Sequence, residues 1–405
     1  VSEVLNRQIR DQLANASWIR RMFETGIELK QRLGPDQVCD FSLGNPDVPP
    51  PPAVADALRT LADRAAAPLG LGYVPNAGIP SLRAKLARKL TAEQQSPIEA
   101  GQVLVTCGAA GALTAFFRAV LEPGDEVICP SPFFVEYGSY CGHFGGVLKP
   151  VPSLLPDFLP DLAAIDRTIG PQTRAILVNT PNNPTGCVYD AHTLRALGDL
   201  LSRHNAGRNR PIFLVSDEPY RFLAYDGVQV PPVLPISPVA VVVGSFSKSL
   251  SLAGERIGYL AINPSMPEGS ALMDAVAMTL RTLGFVNAPV IGQSLVEALL
   301  DQGVDLAVYD RRRHAMARVL RDAGIPFSLP RGAFYFFPAA PGGDDAAFVR
   351  RLLDERILAV PGRGFGCPGH FRLTFCVEEA VIARSAPGFK RAAADFVRAG
   401  STPVS

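Results

Sequence analysis

Between Val103 and Asn263 short apolar runs alternate with longer stretches of mixed polarity. The runs are VLVTC (Val103–Cys107), EVICP (Glu126–Pro130), AILVN (Ala175–Asn179), IFLVSDE (Ile212–Glu218), VAVVVGSFS (Val239–Ser247) and GYLAIN (Gly258–Asn263). They are short, β-branched and continuous in apolar residues, as strands buried on both faces are, and the stretches between them read as helices. The pattern predicts an α/β fold with a mostly parallel central sheet covered by helices. In such a sheet ligands collect beyond the carboxyl ends of the strands. Small and polar residues stand at those ends: Cys107–Ala110, Asn179–Gly186, Asp217–Tyr220 and Ser245–Lys248. One crevice is expected to gather them.

Ahead of this block lies NPDVPPPP (Asn45–Pro52), which reads as an extended linker. After it, helical patterns run to about Leu320. The last section reads as strand RGAFYFF (Arg331–Phe337), helix AAFVRRLLDE (Ala346–Glu355), then ILAVPG (Ile357–Gly362) and HFRLTFCV (His370–Val377). The expected division is a large domain over 46–300 and a smaller α+β domain built from both chain ends, 1–45 and 301–405. A chain of 405 residues suits two such domains.

A formal charge of +1 gives no general attraction to nucleic acid or to an anionic membrane. Arg311–Arg313 is a short basic cluster, expected on a solvated helix face. The N-terminal stretch is amphipathic and lacks the apolar core of a signal peptide, and no segment has the apolar length of a membrane span. Neither a nucleic-acid nor a membrane partner is expected. The seven cysteines are scattered, odd in number and never in a CxxC pair, which fits reduced thiols in the cytoplasm. The five histidines are equally dispersed, and no metal site is expected.

The stretch GSFSKSLSLAGERIGY (Gly244–Tyr259) ends a buried strand in hydroxyls, a lysine and an arginine. Lys248 is either a solvated lysine at a helix start or a Schiff-base former. Asp217, in SDEPY, either caps a turn or holds a pyridinium nitrogen protonated, as a pyridoxal phosphate ring requires. Tyr220 either packs half-buried or donates to a phenolate oxygen, and Asn183 in NTPNNPTG either serves a turn or offers its amide to a ring. CGAAGAL (Cys107–Leu113) puts small residues where a strand becomes a helix, which serves close packing and phosphate binding alike. Ser245 and Arg256 are candidates for the same phosphate, with a surface ion pair to Glu255 as the alternative for the arginine. Phe134, in SPFFVEY, is either core or a cover for an aromatic cofactor. Arg372, in HFRLTF, either points to solvent by strand alternation or clamps a carboxylate.

In order and at family-like separations, NNPTG, SDEPY and SFSKSLSLAGERIGY resemble the class I/II aminotransferases of the fold type I pyridoxal phosphate family, from about Ser17 to Val377. The resemblance implies a pyridoxal 5′-phosphate-dependent transaminase that exchanges an amino group between an L-amino acid and a 2-oxo acid. It implies that Lys248 bonds to the cofactor and then moves the proton, that Asp217 pairs with the ring nitrogen, and that Tyr220 and Asn183 meet the ring hydroxyl oxygen. Gly108, Ala109, Ala110, Ser245 and Arg256 would hold the phosphate, and Phe134 would stack on the ring. Arg372 would fix the substrate α-carboxylate, with Gly44 and Asn183 as helpers. Tyr73 would reach the phosphate of a neighbouring subunit, which implies a homodimer with shared sites.

The resemblance leaves the donor open among aspartate, alanine and aromatic amino acids. One bacterial branch of aspartate aminotransferases uses a lysine for the distal carboxylate where this chain has Ala110. Arg363, Arg281 and Arg20 are the candidate replacements. The same cofactor residues also serve carbon–sulfur lyases and relatives of aminocyclopropane carboxylate synthase, so an elimination enzyme is the alternative. A non-catalytic nucleotide-binding or regulatory protein is disfavoured: the pattern GxxxxGK[ST] is absent, no helix-turn-helix extension is evident, and Lys248 is intact.

Overall fold

The computed structural model of the chain describes residues 4–6, 9–10 and 18–400, without the side chains at 18–21, 23 and 397–400. Most of the amphipathic N-terminal stretch, and the Arg20 side chain, lie outside the described residues. Among the described residues no helix is long and apolar enough to cross a membrane. The chain divides into two compact units, one of Asn45–Val308 with Pro330–Ala333, the other of Val1–Gly44, Tyr309–Leu329 and Phe334–Ser405. Residues after 300 stay with the first unit, where the Val304 N–H donates to Ser249 O at 3.1 Å. Residues 330–333 return to it: Arg331 and Gly332 donate to Gly186 O at 3.0 and 2.9 Å.

The larger unit holds a seven-stranded sheet. Its strands are β1 (Val103–Thr106), β2 (Glu126–Ser131), β3 (Val147–Pro152), β4 (Thr173–Asn179), β5 (Phe213–Asp217), β6 (Ala240–Ser245) and β7 (Gly258–Ile262). Their order is β1-β7-β6-β5-β4-β2-β3. All six apolar runs are strands. The pattern missed β3, in which Lys149, Pro150 and Pro152 interrupt the apolar positions; it is an edge strand, where proline is tolerated.

Only β7 is antiparallel to its neighbours, β1 and β6. Lying between them, it leaves β1 pointing the same way as the parallel strands. The carboxyl ends of β1, β4, β5 and β6 therefore lie along one edge. Gly258 is the register partner of both Thr106 and Ser245, which brings the ends of β1 and β6 to the same level.

Alternate strand residues feed two cores. Leu104, Val127, Leu177, Val215 and Val243 pack with Phe116, Phe117, Met273 and Val276. Val105, Ile128, Val178, Leu214 and Val242 pack with Leu86, Leu90, Leu197 and Leu295. Each such aliphatic or aromatic side chain contributes about 1.5–3 kcal/mol by burial, so the sheet is a rigid platform for whatever its edge carries. Three helices matter at that edge: α1 (Gly108–Val120), α2 (Tyr137–Gly142) and α3 (Phe246–Ser249).

The smaller unit has Cys39–Asp40 paired parallel with Ile357–Leu358, and a three-stranded antiparallel sheet in the order Val360–Pro361, Phe371–Thr374, Tyr335–Phe336. Its core is aromatic: Phe334, Phe336, Phe348, Phe365, Phe371 and Phe375 are fully buried. The expectation for Arg311–Arg313 is corrected here. Arg313 is buried, with Nε and Nη2 on Asp310 Oδ1 at 2.9 and 2.8 Å, and Arg312 is buried as well. Successive helical residues point about 100° apart, so three in a row cannot share a solvated face.

Candidate active site

The end of β6 runs directly into α3. Ser245 caps that helix, its Oγ accepting from Ser247 N–H at 3.1 Å and donating to Ser247 Oγ at 2.8 Å. Lys248 thus sits on a single tethered turn. Gly244, just before, is needed because Tyr259 from β7 lies where its Cβ would be.

The end of β1 runs as directly into α1. Gly108 has φ +71°, and a Cβ there would fall 2.7 Å from Arg256 Nη2. The Arg256 guanidinium therefore lies beside the N-terminus of a 13-residue helix, where free N–H groups and the helix dipole already favour an anion. Arg256 Nη1 donates to Ala253 O at 3.2 Å and approaches Ser247 Oγ at 3.5 Å. An ion pair with Glu255 is not found among the described residues.

Asp217 closes β5. It is buried, and its Oδ2 accepts from the Tyr137 hydroxyl at 2.6 Å. Its Oδ1 has no hydrogen-bond partner among the described residues. Burial pushes its carboxyl up to about 7, against the pull of the Tyr137 hydrogen bond and with a further push from Glu218. Asn179, the register partner of Asp217 at the end of β4, donates to Asp217 O at 2.8 Å and accepts from Asn183 N–H at 2.7 Å.

These groups line one cavity of about 270 Å³. Ala109, Ala110, Ser245 and Arg256 form its anion-favouring end, and Lys248, Phe134, Asn183, Asp217 and Tyr220 line the rest. Of the residues expected in the large domain, two do not line the cavity: Gly108, which adjoins it beside Ala109 and Arg256, and Tyr73, which is 91% exposed. Four lining residues with polar side chains were not singled out from the sequence as site residues: Asn179, Tyr137, Tyr140 and Ser247. Tyr137 stands three residues after Phe134, across a turn in which its N–H donates to Phe134 O at 3.1 Å, and that spacing was the available signal. Ser247 and Asn179 were visible only as members of polar runs.

In the smaller unit Arg372 is buried on the middle strand of the aromatic sheet, which excludes the solvent-facing alternative. Its Nη2 donates to Ser42 O, and its guanidinium carbon lies 4.8 Å from the ring centres of both Tyr335 and Phe365. Any Cβ at Gly44 would collide with the Tyr335 hydroxyl. Arg363 is committed elsewhere, to Asp345 and Asp344. Arg281 is exposed.

The sequence model of "Aminotransferase class I and II" matches residues 36–386. The chain belongs to the class I and II aminotransferase family. This aminotransferase is 34% identical over 378 residues to the aspartate/prephenate aminotransferase of Thermus thermophilus, covering 90% of this chain and 93% of that protein. It is 32% identical over 346 residues to the aspartate aminotransferase of Thermotoga maritima, covering 84% and 87%. An aminotransferase structure from Eubacterium rectale superposes with a TM-score of 0.92 at 35% identity, over 98% of this chain and 100% of that one. The fold is that of the fold type I enzymes, and the cofactor is pyridoxal 5′-phosphate. The cavity fits that molecule: a buried carboxylate oxygen awaits a donor, and a helix N-terminus with an arginine beside it awaits a phosphate. The substrates are an amino acid and a 2-oxo acid.

Proposed function

We propose that Lys248 is the residue that bonds to the cofactor and carries the proton in this aminotransferase, and that the donor amino acid has a neutral side chain. The observation that carries the first part is the bare Oδ1 of buried Asp217 in the same cavity as the lysine. Bound pyridoxal phosphate supplies an aldehyde that takes up the amino group and a pyridinium that accepts the electrons released when the Cα–H bond breaks. Asp217 Oδ1 would accept the ring N–H and keep that nitrogen charged, more strongly because the carboxylate is buried. Gly108, Ala109 and Ala110 N–H groups, Ser245 Oγ and Arg256 would hold the phosphate, while Tyr220 and Asn183 would donate to the ring hydroxyl oxygen. Phe134 would pack against the ring. Arg372, helped by Gly44 and Asn183, would take the α-carboxylate and orient Cα–H, and Lys248 Nζ would take up and return the Cα proton.

The relatives' names include aspartate, but among the described side chains no candidate cation for a second carboxylate lines the cavity; the Arg20 side chain lies outside them. Lys248 and Arg256 are the cations lining the cavity and both have roles, position 110 is alanine, and Arg363 is held by Asp345. A distal carboxylate without a cation would be a costly buried charge.

A homodimer with Tyr73 reaching the second copy's phosphate completes the reading. It is supported by the helix Ala53–Ala65, which has no buried residue, and by Leu69 and Tyr73, each 91% exposed. The cysteines form no disulfide, in keeping with a cytoplasmic enzyme.

Borohydride reduction of the yellow holoenzyme followed by peptide mass mapping is expected to place the cofactor on Lys248, and Lys248→Ala to lose both the bond and nearly all transamination. A label on another lysine overturns the assignment. In single-turnover half-reactions phenylalanine or leucine is expected to react faster than aspartate; the reverse order overturns the neutral donor.

A further inference from the structure

Glu218 follows Asp217 at the end of β5, and the pleat of a strand sends successive side chains to opposite faces. Asp217 enters the cofactor cavity, and Glu218 enters a second cavity of about 160 Å³ that also meets Arg221, Tyr259 and Ser245. Ser245 lines both cavities, so the second one lies directly behind the first.

Glu218 is fully buried and Arg221 nearly so. Glu218 Oε2 accepts from Arg221 Nη1 at 3.0 Å and from Gln94 Nε2 at 2.9 Å, and its Oε1 accepts from Ser216 Oγ at 2.9 Å. Arg221 also donates to the carbonyls of Pro231 (3.1 Å), Val230 (2.9 Å) and Glu93 (2.8 Å). One guanidinium thus ties the residue after Tyr220 to the far end of its own loop and to the end of the helix Pro80–Gln94.

The charges in this region balance. Around Glu218 stand Arg221, the Lys89–Glu93 pair at 2.9 Å, and the neutral Tyr259. Around Asp217 stand Tyr137, Tyr140 and the buried thiol of Cys129, with Lys248 and Arg256 in the cavity itself. Removing one member of the Glu218–Arg221 pair would leave an uncancelled charge behind the cofactor's carboxylate.

We propose that Glu218 and Arg221 are positioning residues for the transamination site: Arg221 fixes the Pro219–Tyr220 turn, and the two opposite charges cancel so that the bound cofactor is not exposed to either. The proposal rests on the assignment of Asp217 to the cofactor.

The test is the pH midpoint of the bound cofactor's visible absorption band in the purified holoenzyme. The protonated chromophore is cationic, so Glu218→Gln, which leaves a positive charge, is expected to lower the midpoint. Arg221→Met, which leaves a negative charge, is expected to raise it. The expected size is roughly half to one pH unit for one uncancelled charge. The double variant should return to the wild-type midpoint, and Arg221→Lys should keep that midpoint while binding cofactor more weakly. Shifts of the same sign, no shift, or a double variant that is not restored would overturn the proposal. If Arg221→Met does not fold, the other three variants carry the test. The midpoint belongs to the bound cofactor whichever lysine holds it, so failure of the Lys248 assignment is read separately, by the mass mapping above.

Discussion

Two buried aspartates, one in each unit, end up in opposite states. Asp345, in the smaller unit, is fully buried and saturated: Arg363 reaches it with its backbone N–H at 2.8 Å, Nη2 at 2.8 Å and Nε at 3.1 Å. Burial pushes its carboxyl up, but the Arg363 and Gly369 donors outweigh that and hold it below the ordinary carboxylate range. Asp217, in the larger unit, has one hydroxyl donor and one bare oxygen, and burial wins. A carboxylate whose partners come from its own fold is finished as structure. One left half-satisfied in a cavity holds a place for a ligand, because its missing partner must come from outside.

Substitutions should separate the two. Asp217→Asn is expected to lower kcat by about 10²–10³-fold, the scale for losing an electrostatic stabiliser of developing charge, with little loss of folding stability. Single-turnover kinetics and a melt on the same sample check both halves. Arg363→Met is expected to do the reverse, costing about 3 kcal/mol of stability while kcat in the folded fraction stays within a few-fold of wild type; the figure is at the low end for a broken buried pair because Arg363 is partly exposed. Urea unfolding reads it, and an enzyme that keeps its stability but loses activity would erase the contrast.

The pH dependence has a definite sign. Asp217 in the cofactor-free protein titrates at about 7, above its value of about 3.9 in an unfolded chain. The native state therefore binds the proton more tightly, and this group's contribution to stability falls as pH rises from about 4 to about 7. Asp217→Asn should flatten that slope, whereas the Asp345 contribution, from a depressed carboxyl, is lost as pH falls below about 4. The smallest effect belongs to Tyr137→Phe. The hydroxyl's hydrogen bond lowers the Asp217 carboxyl, so its loss should move the decline to higher pH and weaken the ionised form by about 1.5–3 kcal/mol. An unchanged pH profile would show that the contact does not act on Asp217.

The pattern of apolar runs was enough for six of the seven strands of the large sheet, since a strand buried on both faces must be continuously apolar and cannot hide. It missed β3, whose edge position relaxes that demand. The polar residues at the strand ends were legible for the same reason: Lys248 and Asp217 interrupt apolar sequence where an interruption is expensive. Tyr137 was not, because an aromatic in an apolar segment reads as core until its hydroxyl is seen to meet Asp217. Arg313 misled in the other direction, as a charge in a basic run reads as surface until the helix turns it inward.

The sequence by itself determined the fold class and the family, and nominated Lys248 and Asp217 as candidates, because local patterning and chemically exacting motifs survive in one dimension. Tertiary structure decided how each charge is partnered. Asp217 and Asp345 are alike as letters; among the described side chains, Arg363 reaches the second and makes it a staple, while Tyr137 alone reaches the first and leaves it half-satisfied in a cavity. Partnership depends on which distant side chains reach a buried oxygen, and distance in space is the property that a sequence does not carry.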